Sequence, residues 1–275
     1  MEDRIIREYF RHEMLPHIWC PGCGNGTLTH DIASAIDASG VDRNKTVIVS
    51  GIGCSSRASG YLDFDTIHTT HGRAIPVATG IKMSKPELNV IVITGDGDCT
   101  AIGGNHFIHD CRRNIDLTVV LFNNNIYGMT GGQYSPTTPT GAYGTTAPYG
   151  NIDQDFDVCS LAKAAGASYI ARGDVYHVDK TVRLIKDGIL HSGFSLIECV
   201  ASCPMYFGRK NKRGGAVDMI RWQKDNAVDI AAAEKLPKEA LEGKYIIGKL
   251  CEKDAPEYTA EYQKIIDRLA QEAGK

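Results

Sequence analysis

The chain has 275 residues, of which 43% are hydrophobic, and a formal net charge of −3. That length suffices for one large domain, and the weak negative charge does not favour nucleic acid as a partner. The N-terminal sequence "MEDRIIREYFRHEM" is too charged for a signal peptide, and the longest apolar runs are too short to span a bilayer. We therefore expect a cytoplasmic protein whose nine cysteines are thiols or metal ligands rather than disulfides.

Four short segments are rich in β-branched residues and continuously apolar, which is typical of strands covered on both faces. They are residues 46–50, 89–94, 117–122 and 195–200. Helical patterns lie between them, at residues 26–38, 104–113, 158–165 and 178–191. This alternation predicts an α/β fold with a doubly wound, mainly parallel sheet, which binds ligands at the carboxyl ends of its strands.

The chain divides, by its pattern, into a domain over residues 1–205 and a C-terminal arm over residues 206–275. Residues 131–150 are rich in Gly, Thr and Pro, and a loop of that length is either functional or mobile. The arm is charged and weakly periodic, but a helix near its end would place five apolar residues on one face: Tyr258, Tyr262, Ile265, Ile266 and Leu269. We expect the arm to pack on this subunit or on a neighbour.

A carboxylate and an amide follow two neighbouring predicted strands. Asp96 lies in "GDGD" directly after one strand, and Asn124 follows the next strand 28 residues later. A right-handed crossover brings these strand ends together, and such oxygen ligands suit Mg²⁺. Gly95 and Gly97 would let the backbone approach a diphosphate, and the following helix N-terminus favours an anion.

Four cysteines could gather at the same edge. Cys20 and Cys23 form a C-x-x-C pair, Cys54 follows the first strand, and Cys203 follows the fourth. Four thiolates suit zinc or a [4Fe–4S] cluster, whereas a redox dithiol would not need Cys54 and Cys203.

The "GDG" followed some thirty residues later by "NN" resembles the thiamine diphosphate motif. The resemblance implies that Asp96 and Asn124 bind Mg²⁺ through their side chains and Ile126 through its carbonyl. It also implies that Gly97, Asp98, Gly128 and Met129 line the cofactor.

The motifs "HIWCPGCGNG", "GIGCSS", "HTTHGRAIPVATGIK", "GDGD", "NNNIYGMTGGQ" and "SCP" together resemble the β subunit of 2-oxoacid:ferredoxin oxidoreductases, over residues 5–210. The chain looks most similar to the 2-oxoglutarate enzymes. The resemblance implies one [4Fe–4S] cluster on Cys20, Cys23, Cys54 and Cys203, with Cys199 as the nearest rival for the fourth ligand. The remaining cysteines are expected to be small buried residues: Cys99, Cys111, Cys159, Cys199 and Cys251.

The resemblance further implies the reaction. It is the thiamine-dependent oxidative decarboxylation of 2-oxoglutarate to succinyl-CoA and carbon dioxide, with coenzyme A as cosubstrate and electrons passing through the cluster to ferredoxin. Run backwards, the reaction fixes carbon dioxide. Two loops that match the family would lie beside the cofactor and substrate: Ile52, Gly53, Cys54 and Ser55 in one, and His71, Gly72, Arg73 and Ala74 in the other. A structural, hydrogen-bonded histidine is the alternative for His71.

Thiamine enzymes of this superfamily activate the cofactor with a glutamate from a separate pyrimidine-binding module. The glutamates before residue 200 are Glu2, Glu8, Glu13, Glu87 and Glu198, and none lies in a strand-end loop near the motif. The chain is therefore expected to be inert alone. It would need an α subunit, in an αβ dimer or (αβ)₂ tetramer.

The substrate is predicted from two positions. Arg57 could bind the distal carboxylate of 2-oxoglutarate, although an exposed arginine is the alternative. Met129 stands where pyruvate-specific relatives tend to carry a polar residue. We favour 2-oxoglutarate over pyruvate or branched-chain 2-oxoacids.

A basic run, Arg209, Lys210, Lys212 and Arg213, closely follows Cys203 and could dock an acidic ferredoxin or the phosphates of coenzyme A. A solvated loop is the plainer interpretation. Two other classes of protein remain as alternatives. One is a non-redox thiamine decarboxylase subunit with structural zinc, and the other is an iron–sulfur electron carrier without catalytic activity.

Overall fold

The four predicted strands are present, and six further strands accompany them. In this computed structural model, which describes residues 3–274, they are β1 (Thr46–Ser50), β2 (Asp65–His68), β3 (Asn89–Gly95), β4 (Thr118–Asn123), β5 (Ile126–Tyr127), β6 (Gln133–Tyr134), β7 (Tyr169–Asp174), β8 (Ser195–Val200), β9 (Ala227–Asp229) and β10 (Tyr245–Glu252). Eight of them form one sheet in the order β2-β1-β3-β4-β8-β7-β10-β9, and β5 and β6 form a small hairpin. Every pairing in the large sheet is parallel except that of β7 with β10.

Helices cover both faces of this sheet. They are α1 (Arg4–Tyr9), α2 (Asn25–Ser39), α3 (Ala58–Tyr61), α4 (Ala74–Ser84), α5 (Gly104–Arg113), α6 (Val158–Ala165), α7 (Val178–Leu190), α8 (Ala216–Asn226), α9 (Ile230–Ala233) and α10 (Tyr258–Ala273). One core packs α2 and α7 against alternate strand residues such as Ile91 and Val120. The other packs α4, α5 and α6 against the intervening residues, such as Val90 and Val119. The predicted doubly wound α/β fold is therefore confirmed.

The predicted elements agree closely with the structure, with small shifts at their ends. The strands at 46–50 and 195–200 and the helices at 104–113 and 158–165 have the predicted bounds. The third predicted strand is displaced by one residue, to Thr118–Asn123, and the second continues through Gly95. The first helix begins at Asn25 rather than 26 and ends at Ser39 rather than 38, and the fourth ends at Leu190 rather than 191.

The C-terminal residues contribute to the main sheet. From residue 206 onward, β10 pairs with β7 and β9 pairs with β10, so this part of the arm packs on its own subunit. The terminal helix α10 is present, and its five predicted apolar residues are all exposed: Tyr258, Tyr262, Ile265, Ile266 and Leu269. The division of the chain at residue 205 stays a prediction. The predicted domain and arm include residues 1, 2 (Glu2) and 275, which lie outside the described residues.

The helices between residues 3 and 274 are all too short or too polar to cross a membrane.

Candidate functional site

The loops that follow β1, β2, β3 and β4 enclose a cleft at the carboxyl edge of the sheet. Two of these strands lead straight into it, because β3 ends at Gly95 and β4 ends one residue before Asn124. The cleft is lined by Ile52, Gly53, Cys54, Ser55, His71, Gly95, Asp96, Gly97, Asp98, Phe122, Asn124, Ile126, Tyr127, Gly128, Met129 and Thr130. The three predicted magnesium ligands are therefore together in one cavity, with most of the residues predicted to line the cofactor.

Asp96 is the buried carboxylate of this cleft. It is 3% exposed, and burial raises its pKa to about 6, against hydrogen bonds that lower it. The hydroxyls of Ser135 and Thr137 both donate to Oδ2. Oδ1 accepts no side-chain hydrogen bond from residues 3–274 and is the oxygen left for a cation. Across the cleft, the amide oxygen of Asn124 accepts the N–H of Ile126 at 3.2 Å and no other hydrogen bond from the residues that the structure describes.

The loop over residues 131–150 is fastened to the predicted metal ligands. Besides the two hydroxyls on Asp96, the side chain of Asn125 donates to the carbonyl of Thr137, and the hydroxyl of Thr138 donates to the carbonyl of Asn125 at 2.6 Å. Asn125 has a positive φ of 62°, an arrangement that asparagine tolerates better than most residues. The first part of this loop is thus a support for the site.

Asp98 joins the loops around the cleft. Its Oδ1 accepts from His71 Nδ1, from the Gly72 N–H at 2.8 Å and from the Ile52 N–H at 3.2 Å. Its Oδ2 accepts from the Thr94 hydroxyl at 2.7 Å. Because the carboxylate has these four donors, its main effect is to position the other loops.

The glycines of the cleft allow close packing between its walls. A Cβ on Gly97 would lie 2.3 Å from the ring of Tyr127, and one on Gly95 would lie 3.1 Å from the Ser55 hydroxyl. The sequence suggested that these glycines admit a diphosphate, and the structure adds that neighbouring side chains also require them. Tyr127, which no sequence argument selected, also donates to the Gly97 carbonyl at 3.0 Å.

A second cavity adjoins the first and holds the four predicted cluster cysteines. It is lined by Ile18, Trp19, Cys20, Cys23, Asn25, Cys54, Asn124, Gly128, Met129, Ser202, Cys203, Pro204, Met205 and Tyr206. The Trp19 indole donates to the Cys54 carbonyl at 2.7 Å, and the Ser202 N–H donates to the Cys23 carbonyl at 3.1 Å. These two bonds tie the three cysteine-bearing loops to one another.

The cysteine sulfurs are close enough to affect one another. Burial raises the pKa of Cys54 to about 11, and repulsion from the other three thiols adds to it. A Cβ on Gly128 would lie 3.3 Å from the sulfur of Cys54 and 3.6 Å from that of Cys203. Gly128 therefore leaves open the wall between the two cavities. Cys199, the rival ligand, is fully buried inside β8 and packs in the core.

The spacing of the cysteines differs from that of a zinc site. A tetrahedral ion with Zn–S bonds of about 2.3 Å holds its sulfurs about 3.8 Å apart. Among residues 3–274, only Asp157, Cys159 and Glu198 form a group of three with ligand atoms all within 4.8 Å. The four cysteines are therefore spread more widely than a single zinc ion requires.

That compact group is an ion-pair network rather than a metal site. Arg172 donates to Glu198 and to Asp157, both at 2.7 Å, and the Cys159 thiol donates to Glu198 at 3.1 Å. The guanidinium supplies the positive charge that a metal ion would bring. Glu198 is consequently occupied, and no glutamate is among the described residues that line the cleft.

The predicted residues outside the cavities have other surroundings. Gly72, Arg73 and Ala74 lie at the start of α4, where Gly72 bonds Asp98 and Arg73 donates to the carbonyls of Gly72 and Ile102. Arg57 is exposed beyond the cleft, and its guanidinium has no hydrogen bond or ion pair with another residue between 3 and 274. Cys251, expected to be buried, is half-buried on β10, because β10 lies near the edge of the sheet.

The supporting hydroxyls of Ser135 and Thr137 were not predicted. Their only signal in the sequence is the Ser- and Thr-rich composition of residues 135–140, which does not show that a loop folds back onto Asp96. Thr94 was missed for a similar reason, because a threonine at a strand end resembles any other strand residue.

Comparisons with known proteins agree with this geometry. Residues 51–199 match the family model described as thiamine pyrophosphate enzyme, C-terminal TPP binding domain. The chain is 51% identical to the 2-oxoglutarate synthase subunit KorB of Methanocaldococcus jannaschii, over 96% of this chain and 98% of that protein. It is 54% identical to the subunit of the same name from Archaeoglobus fulgidus, over 80% of each chain.

A solved structure is also similar over nearly the whole length. It is the 2-oxoglutarate:ferredoxin oxidoreductase from Magnetococcus marinus, determined with 2-oxoglutarate, coenzyme A and succinyl-CoA bound. The TM-score is 0.86 at 34% sequence identity, with 98% of this chain and 92% of that one covered. This chain therefore belongs to the thiamine pyrophosphate enzymes and, among them, to the KorB-type β subunits of 2-oxoacid:ferredoxin oxidoreductases.

Proposed function

We propose that this chain is the catalytic β subunit of a 2-oxoglutarate:ferredoxin oxidoreductase. The enzyme converts 2-oxoglutarate, coenzyme A and oxidised ferredoxin into succinyl-CoA, carbon dioxide and reduced ferredoxin, and the reverse reaction fixes carbon dioxide. One observation carries the proposal: the cleft with the Mg²⁺ ligands and the cavity with the four cysteines share the same wall, formed by Cys54, Asn124, Gly128 and Met129. That arrangement suits a reaction whose electrons leave through a cluster.

The cleft fits thiamine diphosphate with Mg²⁺. Asp96 has one oxygen without a side-chain hydrogen bond from residues 3–274, and the Asn124 amide oxygen has a lone pair left beside the Ile126 N–H that it accepts. These two hard oxygens and the Ile126 carbonyl would be the three ligands from this chain, and the glycine-lined walls leave room for a diphosphate. When bound, thiamine diphosphate would supply a nucleophilic carbon for the 2-oxoacid carbonyl and a cationic ring as the electron sink for decarboxylation. The residues of this chain hold the diphosphate and orient the ring.

The cysteine cavity fits a [4Fe–4S] cluster better than zinc. A cubane cluster places four iron atoms between its thiolates, so it holds them farther apart than a single ion does. No three of these cysteine sulfurs all lie within 4.8 Å of one another, which supports a cluster over a single ion. Cys20, Cys23, Cys54 and Cys203 would be the four ligands, and the cluster would accept one electron at a time.

His71 and Arg57 are proposed to act on the substrate. The bond from Nδ1 to Asp98 fixes the His71 ring and leaves Nε2 as the nitrogen that can meet a ligand in the cleft. There it would donate a hydrogen bond to the substrate or hold a proton. Arg57 has no partner between residues 3 and 274 that competes for its guanidinium, so it is free to bind the distal carboxylate of 2-oxoglutarate.

The complete enzyme would contain an α subunit. The β-type names of the relatives imply such a partner, and an (αβ)₂ assembly follows from the family resemblance. The missing glutamate is assigned to that subunit. We place the complex in the cytoplasm, where nine unpaired cysteines persist as thiols or ligands.

The proposal is tested on the complex purified without oxygen together with its α subunit. Coenzyme A-dependent reduction of a viologen dye is measured with 2-oxoglutarate, pyruvate and 2-oxoisovalerate side by side. We expect strong preference for 2-oxoglutarate. Preference for another acid would overturn the substrate assignment, and absence of reduction with all three, by protein containing thiamine and iron, would overturn the reaction.

A further inference from the structure

The surface beside the cysteine cavity combines exposed apolar side chains with unpaired cations. Cys20 is exposed, whereas Cys23 and Cys203 are buried, so the cavity reaches the surface at the Cys20 side. The apolar residues Ile18 and Met205 line the same cavity and are 64% and 43% exposed. A cluster held there would be separated from solvent by few atoms on this side.

A cationic loop lies beside this opening. The chain runs from Cys203 through one π-helical turn, Pro204–Gly208, directly into Arg209 and Lys210. The loop ends at α8, whose first residue, Ala216, packs so closely on the cysteine loop that a Cβ on Gly22 would lie 2.3 Å from the Ala216 Cβ. Both ends of the loop are therefore anchored next to cysteine ligands.

The four cations of this loop have no acidic partners among residues 3–274. Arg209, Lys210, Lys212 and Arg213 are all exposed, and none of them forms an ion pair with a described carboxylate. Arg213 lies over the ring of Trp222 at 6.0 Å. Two further contacts hold the loop in shape: the amide of Asn211 bonds the backbone N–H and C=O of Tyr143. The positive charge is thus presented on an ordered segment.

We propose that these residues form the docking surface for an acidic iron–sulfur electron carrier, with Ile18 and Met205 at its centre and the loop over residues 209–213 as its cationic rim. The inference rests on the proposed function, because it requires a cluster in the cysteine cavity. Electron-transfer encounters have small interfaces, below about 1,200 Å², so docking of such a carrier does not require an extended apolar surface. A cationic rim steers an acidic partner and orients it over the cluster.

The test uses the complex with its α subunit and a ferredoxin of known acidic composition. The dissociation constant is measured calorimetrically for the wild type and for the triple variant Arg209→Gln, Lys210→Gln, Lys212→Gln. Loss of three rim charges is expected to weaken binding about tenfold at low ionic strength, and the difference should shrink at high salt. An unchanged dissociation constant would overturn the proposal.

A matched control removes three exposed cations outside this loop: Lys253→Gln, directly after β10, and Lys264→Gln and Arg268→Gln on α10. It has the same net charge and should bind ferredoxin like the wild type. If both variants bind ferredoxin equally weakly, the effect comes from net charge alone, and the docking assignment is overturned.

Two further readouts separate the possible failures. Dye-linked activity and the KM for coenzyme A should be unchanged in the rim variant. If the KM for coenzyme A rises while the dissociation constant for ferredoxin is unchanged, the loop binds the phosphates of coenzyme A, and the docking assignment is overturned. Absence of dye-linked activity in the wild-type complex would contradict the proposed function, whatever the loop does.

Discussion

The carboxyl group of Asp31 is buried without a hydrogen-bond partner among residues 3–274. The residue lies on α2 and is fully buried. Burial raises its pKa to about 8, and repulsion from Asp179 adds to this. Since an unfolded aspartate has a pKa of about 3.9, the folded state keeps a proton that the unfolded state releases. Stability should therefore fall as the pH rises from about 4 to 8.

Asp31→Asn tests this residue, because the amide stays neutral at every pH. We expect the variant to gain stability over the wild type by about 1 kcal/mol for each pH unit between 5 and 7. The measurement is the thermal unfolding midpoint at pH 5, 6 and 7, with the exposed Asp155→Asn as the control that should show no such trend. A difference that is constant with pH would mean that Asp31 is not protonated in the folded chain.

Cys199 and Cys203 are only four residues apart but have different surroundings. The two positions therefore serve as a control and a test for ligation of the cluster. Cys203 lines the cysteine cavity, whereas Cys199 is enclosed in β8. Cys203→Ala should therefore lose bound iron and the brown visible absorbance of a [4Fe–4S] protein. Cys199→Ala should keep both and lose only packing. If only the Cys199 variant loses iron, Cys199 is the cluster ligand and Cys203 is not.

At the scale of elements, the support of Asp96 by residues 131–150 has a measurable consequence. Groups that hold a metal ligand in place are worth 10–100-fold in metal affinity, so the double variant Ser135→Ala, Thr137→Ala should weaken Mg²⁺-dependent thiamine diphosphate binding by roughly that factor. Binding is followed by the thiamine retained after gel filtration at graded Mg²⁺. Thr145→Ala, on the same loop but away from Asp96, is the control. Equal retention by the double variant and wild type would show that these hydroxyls do not support the ligand.

Sequence patterns predict the elements that are uniformly apolar and miss those whose burial depends on a partner. The strand β7, "YIARGD", was missed because Arg172 and Asp174 break its apolar run. Both are accommodated by the fold: Arg172 pairs with Glu198 from the neighbouring strand, and Asp174 accepts from the Tyr245 hydroxyl. The helix α4 was missed because Pro76 and Gly80 interrupt its pattern.

The same limit applies to the candidate site. Strand-end residues such as Asp96 and Asn124 were predictable because parallel strands bring their carboxyl ends to one edge. The four cysteines were found by their chemistry and their family motifs. Ser135 and Thr137 were not, since they reach Asp96 only through the path of a long loop, and no local pattern encodes that path.

On the scale of the whole molecule, the two edges of the sheet carry different features. The carboxyl edge holds the cleft, the cysteine cavity and the cationic loop. The amino edge is where α10 begins, since Asn114 at the end of α5 donates to the Pro256 carbonyl at 3.1 Å. Under the proposed function, the α subunit would approach the carboxyl edge to complete the cleft, on a side that leaves the cationic loop open to the electron carrier.

This separation leads to a prediction for the chain without its α subunit. Because no glutamate lines the cleft among the described residues, the isolated chain should bind thiamine diphosphate and its cluster but lack the acid that activates the cofactor. General acid–base groups contribute 10²–10⁴-fold, so its viologen reduction should fall to about a hundredth of that of the complex or less.

The measurement requires cofactor content and activity on the same sample. Thiamine and iron are quantified in the isolated chain, its rate with 2-oxoglutarate is recorded, and purified α subunit is then added. Restored activity at unchanged cofactor content would show that the α subunit supplies chemistry rather than cofactor retention. Substantial activity before the addition would mean that a residue of this chain activates the cofactor, and the α subunit would then be needed for another step.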